Sequence, residues 1–157
     1  MAEKKFMSMA LEEAYRGIEA GDGGPFGAVV VRSGEVLGAA HNTVLRDNDP
    51  TRHAEISAVS IASRKLGTFD LSGCTVYSTT EPCPMCFSSL HWARISVLIY
   101  GTKIEAVREL GFNEMAISVE KMNEESGSAM EIIGGFMSGE CEKLLGYWGS
   151  LPDQRVY

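Results

Sequence analysis

Residues 82–86 read Pro-Cys-Pro-Met-Cys, and residues 53–55 read His-Ala-Glu. Two cysteines separated by two residues can reach one ion from a single helical turn, and a histidine from a second segment adds a nitrogen. Pro84 suits the first position of a helix, where its missing N–H costs nothing. The spacing therefore predicts a zinc site at the starts of two neighbouring helices, with the ligands His53, Cys83 and Cys86.

Three protein ligands indicate a different kind of zinc site from four. A structural zinc is normally closed by four Cys or His ligands, whereas three leave a position for water, whose pKa the metal lowers. Glu55 is too close to His53 to be a further ligand without strain, so it is free to move protons. Cys74 could in principle close the site as a fourth ligand, but we interpret Cys74 as a packed residue and Cys141 as core.

Composition and charge limit the class of protein and its partners. The chain has 157 residues, 45% of them hydrophobic and 22% charged, which predicts a single domain spanning residues 1–157. The formal net charge is −7, and no run of Lys or Arg is present, so nucleic acid is an unlikely partner. The amphipathic start, which contains Glu12, Glu13 and Glu19, predicts neither a secretory signal nor a membrane segment, and we expect a cytoplasmic protein.

Hydrophobic periodicity and turn residues predict alternating helices and strands. Helices are expected over residues 3–20, 52–65, 84–91, 104–110 and 139–148. Strands are expected over residues 26–31, 35–40, 74–78, 96–100 and 129–133. A hairpin followed by strand-helix-strand units predicts an α/β protein, with a three-layer α/β/α fold and a mixed central sheet.

Several segments together resemble the guanine deaminases of the cytidine-deaminase-like superfamily. They are residues 21–29 (GDGGPFGAV), 41–42, 49–55, 81–86, 92–94 and 111–112, with Tyr157 at the end of the chain. Plant-type guanosine deaminases are also similar. The resemblance, which covers about residues 5 to 115, implies a cytidine-deaminase-like fold and a homodimer with one Zn²⁺ per subunit. It also implies that the C-terminal tail, about residues 150–157, closes the active site, either in its own subunit or in the neighbouring one.

The resemblance assigns roles to individual residues of this chain. Its zinc ligands would be His53, Cys83 and Cys86, and its proton shuttle Glu55. Asn42 would hydrogen-bond the substrate base, Phe26 would stack on the base, and Tyr157 would cover the pocket. Glu114 falls where bacterial guanine deaminases usually carry an aspartate that contacts the purine edge, and its extra methylene displaces the carboxylate by roughly 1.5 Å.

We therefore expect a zinc-dependent hydrolase that converts guanine to xanthine and ammonia, with a small-molecule purine base or nucleoside as its partner. Deaminases of guanosine, cytosine or a related aminated heterocycle fit the same residues, as does a tRNA adenosine deaminase. A hypothesis from another class is a zinc-stabilised binding module without turnover, in which Cys74 completes a closed coordination sphere.

Overall fold

The computed structural model describes residues 1–157 and contains a five-stranded sheet between two layers of helices. The helices are α1 (Lys4–Ala20), α2 (Val44–Asp47), α3 (Ala54–Leu66), α4 (Pro84–Trp92), α5 (Ile104–Glu109), α6 (Val119–Ser126) and α7 (Ser138–Gly149). The strands are β1 (Gly27–Arg32), β2 (Glu35–His41), β3 (Thr75–Thr80), β4 (Val97–Thr102) and β5 (Glu131–Ile133). None of the helices combines the length and the apolar composition needed to cross a bilayer.

The strand order gathers several strand ends at one edge of the sheet. The order is β2-β1-β3-β4-β5. Strand β1 is antiparallel to both β2 and β3, whereas β3, β4 and β5 are mutually parallel. Strands β2 to β5 therefore point the same way, and their carboxyl ends lie at the edge where β1 begins. Ligands of α/β sheets bind outside the carboxyl ends of strands, so the connections after β2 and β3 are placed for a site.

The two faces of the sheet bury different sets of side chains, because alternate residues of a strand point to opposite faces. On β3, Val76 packs in the cluster that contains residues of α3 and α4. Its neighbour Tyr77 packs in the cluster that contains residues of α1 and α7. Full burial of one such apolar side chain contributes about 1.5–3 kcal/mol. The predicted three-layer α/β/α fold with a mixed sheet is confirmed.

The predicted elements are present, with some differences at their ends. Helix α3 begins at Ala54 rather than at Arg52, because His53 has an extended backbone (φ −72°, ψ 154°). Strands β3 and β4 each run two residues further than expected, and β5 begins at Glu131. Sequence analysis missed α2 and α6. Helix α6 is mostly polar, and its main local signal is Ser118, whose side chain accepts a hydrogen bond from Lys121 N–H.

Candidate metal centre and pocket

Three potential metal ligands meet at the carboxyl edge of the sheet. His53 is the residue before α3, Cys83 is the residue before α4, and Cys86 lies in the first turn of α4. His53 Nδ1 lies 3.6 Å from Cys83 Sγ and 3.4 Å from Cys86 Sγ. Nitrogen at ~2.1 Å and sulfur at ~2.3 Å from a tetrahedral zinc ion would lie about 3.6 Å apart. The spacing of these donors therefore fits zinc.

The charges of the two thiols differ before any cation binds. A hydrogen bond from Cys86 lowers the pKa of Cys83 to about 4, although burial acts in the opposite direction. The same contact and burial raise the pKa of Cys86 well above its usual value. Burial opposes protonation of His53, but its contact with Cys83 and the charge of Glu55 give a net raised pKa. The lowered pKa of Cys83 favours a thiolate at that ligand, and a divalent cation would favour a second one at Cys86.

The ligand cluster contains these three residues and no fourth. Cys74 is fully buried among apolar side chains of the cluster that packs under α3 and α4. Cys141 is also fully buried, in the cluster under α1 and α7. Both cysteines are core residues, as predicted. The donor set of one histidine and two cysteines leaves one position of a tetrahedral zinc ion open, which is the arrangement of catalytic sites.

Glu55 lies beside the ligands in the first turn of α3 and is only 6% exposed. Its Oε1 lies 3.2 Å from Ser78 Oγ, whose hydroxyl also reaches Thr80 O over 2.7 Å, and its Oε2 lies 3.5 Å from Cys86 Sγ. Burial raises the pKa of Glu55. A buried carboxyl group of raised pKa next to a metal site is suited to accepting and returning a proton near neutral pH.

Asn42, which follows β2 directly, is completely buried and has a defined amide orientation. Its Oδ1 accepts hydrogen bonds from the backbone N–H groups of Gly24 (3.3 Å) and Val44 (3.1 Å). Nδ2 therefore points the other way, and it has no partner within the protein. A Cβ atom at Gly23 would overlap Asn42 Oδ1, which explains the glycine there. The pocket is thus supplied with one oriented hydrogen-bond donor.

Charged residues behind Asn42 hold this corner of the pocket together. His41 Nδ1 lies 3.1 Å from Glu13 Oε2, and His41 Nε2 lies 2.8 Å from Asp22 Oδ2. Arg46 also contacts Asp22, over 3.1 Å. These contacts join α1, the glycine-rich segment, the end of β2 and α2. Sequence analysis did not identify them, because the partners lie far apart in the chain.

The remaining predicted site residues all line the same pocket, which also contains His53, Glu55 and Cys83. They are Phe26, Asn42, Glu114 and Tyr157. Burial raises the pKa of Glu114 to about 7, and the negative charge of Cys83 acts in the same direction. Near neutral pH, the carboxyl group of Glu114 is therefore able both to donate and to accept a hydrogen bond.

Tyr157 lies in the pocket of its own chain. Its carbonyl oxygen accepts a hydrogen bond from Asn113 N–H over 3.1 Å, and its ring lies 5.2 Å from that of Phe112. Phe112 in turn contacts Phe26 at 5.3 Å and Trp148 at 5.0 Å. The Tyr157 hydroxyl is buried without a partner, so the pocket has a second unpaired polar atom besides Asn42 Nδ2.

Sequence analysis missed two further residues of the pocket wall, Thr80 and Glu81. Thr80 is the last residue of β3, and Glu81 lies between the end of this strand and the metal ligand Cys83. The available signal was Pro82, which restricts the backbone of Glu81 to an extended conformation. Nothing in the local pattern indicates that the Glu81 side chain is buried, yet it is only 3% exposed.

The α/β/α fold holds a metal site of one histidine and two cysteines. A buried carboxyl group and a small pocket lie beside that site. Together these features define a zinc-dependent hydrolase. The chain belongs to the family described as the cytidine and deoxycytidylate deaminase zinc-binding region, whose model matches residues 1–102. It is therefore a zinc-dependent deaminase, and the resemblance to the cytidine-deaminase-like superfamily that its sequence motifs indicated is confirmed.

Known relatives include deaminases of a free base and of tRNA. A guanine deaminase from Bacillus subtilis is 39% identical over 76% of this chain and 77% of its own length. A tRNA-specific adenosine deaminase from Aquifex aeolicus is 44% identical over 64% of this chain and 66% of its own length. The solved structure of a guanine deaminase from Nitrosomonas europaea has a TM-score of 0.87 and 30% identity, covering 96% of this chain and 86% of that one.

Proposed function

We propose that this deaminase acts on free guanine, converting it with water to xanthine and ammonia. The observation that carries the proposal is a pocket in which Glu55, the oriented amide of Asn42 and Glu114 lie around the metal ligands. Asn42 Nδ2 donates to an acceptor of the base, and Glu114 contacts its N–H edge. Phe26 offers an aromatic face for stacking.

The residues of the chain account for the proton movements of the reaction. Zinc, held by His53, Cys83 and Cys86 with one ion per chain, would supply the positive charge that acidifies water in its open position. Glu55 takes the proton that the attacking water loses and passes it to a ring nitrogen; it then takes the proton of the new C2 hydroxyl group and gives it to the leaving amine. A bond from C2 to oxygen forms and the bond from C2 to nitrogen breaks, so guanine and water give xanthine and ammonia.

The tail supports a free base as the substrate. Tyr157 packs on Phe112 and lies against Gly24, where a Cβ atom would be 3.0 Å from the Tyr157 hydroxyl. A nucleoside needs room for its sugar, and a tRNA needs an open path for its backbone, so both require this residue to move. The formal net charge of −7 also opposes binding of a polyanion. Deamination of tRNA adenosine remains the second candidate because of the tRNA-specific relatives.

The test of this function is ammonia release by the zinc-loaded protein with guanine, guanosine, cytosine, adenine, adenosine and tRNA. We expect guanine to have the highest kcat/KM. Preferred turnover of guanosine or cytosine would contradict guanine as the substrate but would agree with the zinc mechanism. Turnover of tRNA alone would favour the second candidate, deamination of tRNA adenosine. Size-exclusion chromatography with light scattering tests the homodimer, which stays a prediction, as does the cytoplasmic location.

Replacing Asn42 with aspartate separates base recognition from folding. The aspartate oxygen still accepts from Gly24 and Val44, but the donor that Nδ2 supplies is lost. Since a hydrogen bond contributes about 1 kcal/mol, we expect KM for guanine to rise roughly fivefold or more. Asn42→Ala removes both the acceptor Oδ1 and the donor Nδ2, so it should also lower the melting temperature. An unchanged KM for Asn42→Asp would show that this amide does not contact the substrate.

Replacing Tyr157 with alanine tests the closure of the pocket. Removal of the ring should make room for a sugar, so the kcat/KM ratio of guanosine to guanine should rise, by roughly tenfold if one side chain decides the fit. Tyr147→Ala is a matched control, because Tyr147 is 42% exposed on α7 and does not line the pocket. An equal ratio in both variants would show that Tyr157 does not restrict the substrate.

A further inference from the structure

Three carboxyl groups line the pocket, and one of them has no free oxygen. Glu81 Oε1 accepts a hydrogen bond from Val119 N–H over 2.9 Å, and Glu81 Oε2 accepts one from Ile104 N–H over 3.1 Å. With both oxygens engaged by backbone donors and only 3% of the residue exposed, Glu81 is not available to bind substrate or transfer a proton. Its contacts therefore serve another purpose than those of Glu55 and Glu114.

The two donors are the first residues of α5 and α6. The first N–H groups of a helix have no partner within it, and a carboxylate satisfies them well. The two helices flank residues 110–118, the segment that carries Glu114 into the pocket. Glu81 therefore fixes the starts of both helices from a position two residues before the metal ligand Cys83, and its own N–H donates to Thr102 O over 2.7 Å.

The segment between the two helices has few other attachments. Two backbone N–H groups of residues 113–117 donate outside the segment: Asn113 N–H donates to Tyr157 O over 3.1 Å, and Glu114 N–H donates to the nearby Phe112 O over 2.9 Å. Phe112 adds apolar packing at one end. The placement of Glu114 relative to the metal site thus depends on how the helices on either side are held.

We propose that Glu81 is a positioning residue that sets the location of Glu114, and with it the Tyr157 contact, relative to the zinc-binding segment. The inference rests on the proposed function in one respect, since it takes Glu114 to contact the substrate. Pro82 restricts the Glu81 backbone, so the zinc-binding segment and the base-recognition segment share one rigid connection.

A double-mutant cycle between Glu81 and Glu114 tests this role. Glu81→Gln keeps one acceptor and places an NH₂ group against the other backbone N–H, which should displace the segment and raise KM more than it lowers kcat. Glu114→Gln removes the carboxylate itself. If Glu81 acts through Glu114, the combined loss in kcat/KM should be smaller than the product of the single losses by roughly fivefold or more. A combined loss equal to the product, with zinc content normal, would overturn the proposal.

Asp70→Asn is the matched control, because Asp70 accepts a hydrogen bond from Ser72 N–H outside the pocket. This control should leave KM and kcat unchanged.

Should Glu81→Gln fail to fold, Val119→Pro tests the same bond from the other side, since it deletes the N–H at a position that tolerates proline. Val119→Ala keeps that N–H and loses only packing. We expect the higher KM in Val119→Pro, and equal KM values in the two variants would overturn the proposal.

Hydrogen exchange measures the same coupling without a substrate. Glu81→Gln should speed exchange in residues 103–119 and 150–157 while leaving β3 and α4 protected, and protection unchanged in the first two segments would overturn the proposal.

The double-mutant cycle is run with the best substrate of the panel. A wild-type protein that prefers another base would therefore refute guanine as substrate, whereas additive losses or unchanged exchange would refute the role of Glu81.

Discussion

Replacing Glu55 with glutamine is expected to lower kcat by roughly 10³-fold or more, because proton transfer by a positioned side chain contributes about 10²–10⁴-fold and glutamine cannot perform it. The amide is nearly the same size as the carboxyl group and can keep the contact with Ser78 Oγ. Zinc content and melting temperature should therefore change little. Steady-state ammonia release and metal analysis of the same preparation measure both quantities.

Glu12→Gln provides the control, since Glu12 is exposed on α1 and its replacement should leave kcat unchanged. If Glu55→Gln keeps near-normal turnover with zinc bound, another group must move the protons. Glu114 would then be the first candidate, because it lines the same pocket and its pKa is raised to about 7.

Removing a single cysteine ligand should abolish both metal binding and activity. Cys86→Ala leaves only His53 and Cys83, which bring too few donors to hold zinc against a competing chelator. We expect less than about a tenth of the wild-type zinc content and turnover at background, given how strongly structural zinc affinity depends on a complete ligand set. Chelation of the wild-type protein followed by addition of zinc should remove and restore activity without any substitution.

Cys74→Ala and Cys141→Ala are the controls for this experiment. Both cysteines are fully buried, so each variant should lose some stability but keep its zinc. Loss of zinc from Cys74→Ala would instead support a closed site and the binding-module hypothesis. Retention of zinc by Cys86→Ala would contradict the ligand set.

Local sequence was sufficient to predict the elements that carry the metal ligands. The pattern Pro-Cys-Pro-Met-Cys places Cys83 and Cys86 at the start of a helix, and Pro84 does occupy its first position. Helix α1 ends at Gly21, whose φ of 69° lies in the left-handed region that glycine adopts readily. These features depend on residues within a few positions of one another, so they can be read without knowing the fold.

Long-range features were beyond prediction from these patterns. The burial of Glu81 depends on Ile104 and Val119, which lie 23 and 38 residues further along the chain. The polar helix α6 was missed because it has only one buried residue, Val119, so its periodicity is weak.

The sequence by itself indicated the chemistry of this protein: the candidate zinc donors, the adjacent carboxyl group, the five strands and five of the seven helices. The tertiary structure decided how those groups behave. It brings the ends of β2 and β3 to one edge of the sheet, orients the amide of Asn42, and engages Glu81 in backbone hydrogen bonds. Burial, with the negative charge of Cys83 acting in the same direction, raises the pKa of Glu114 to about 7. The physical reason is that desolvation and hydrogen bonding depend on neighbours in space, which the sheet supplies from segments remote in the chain.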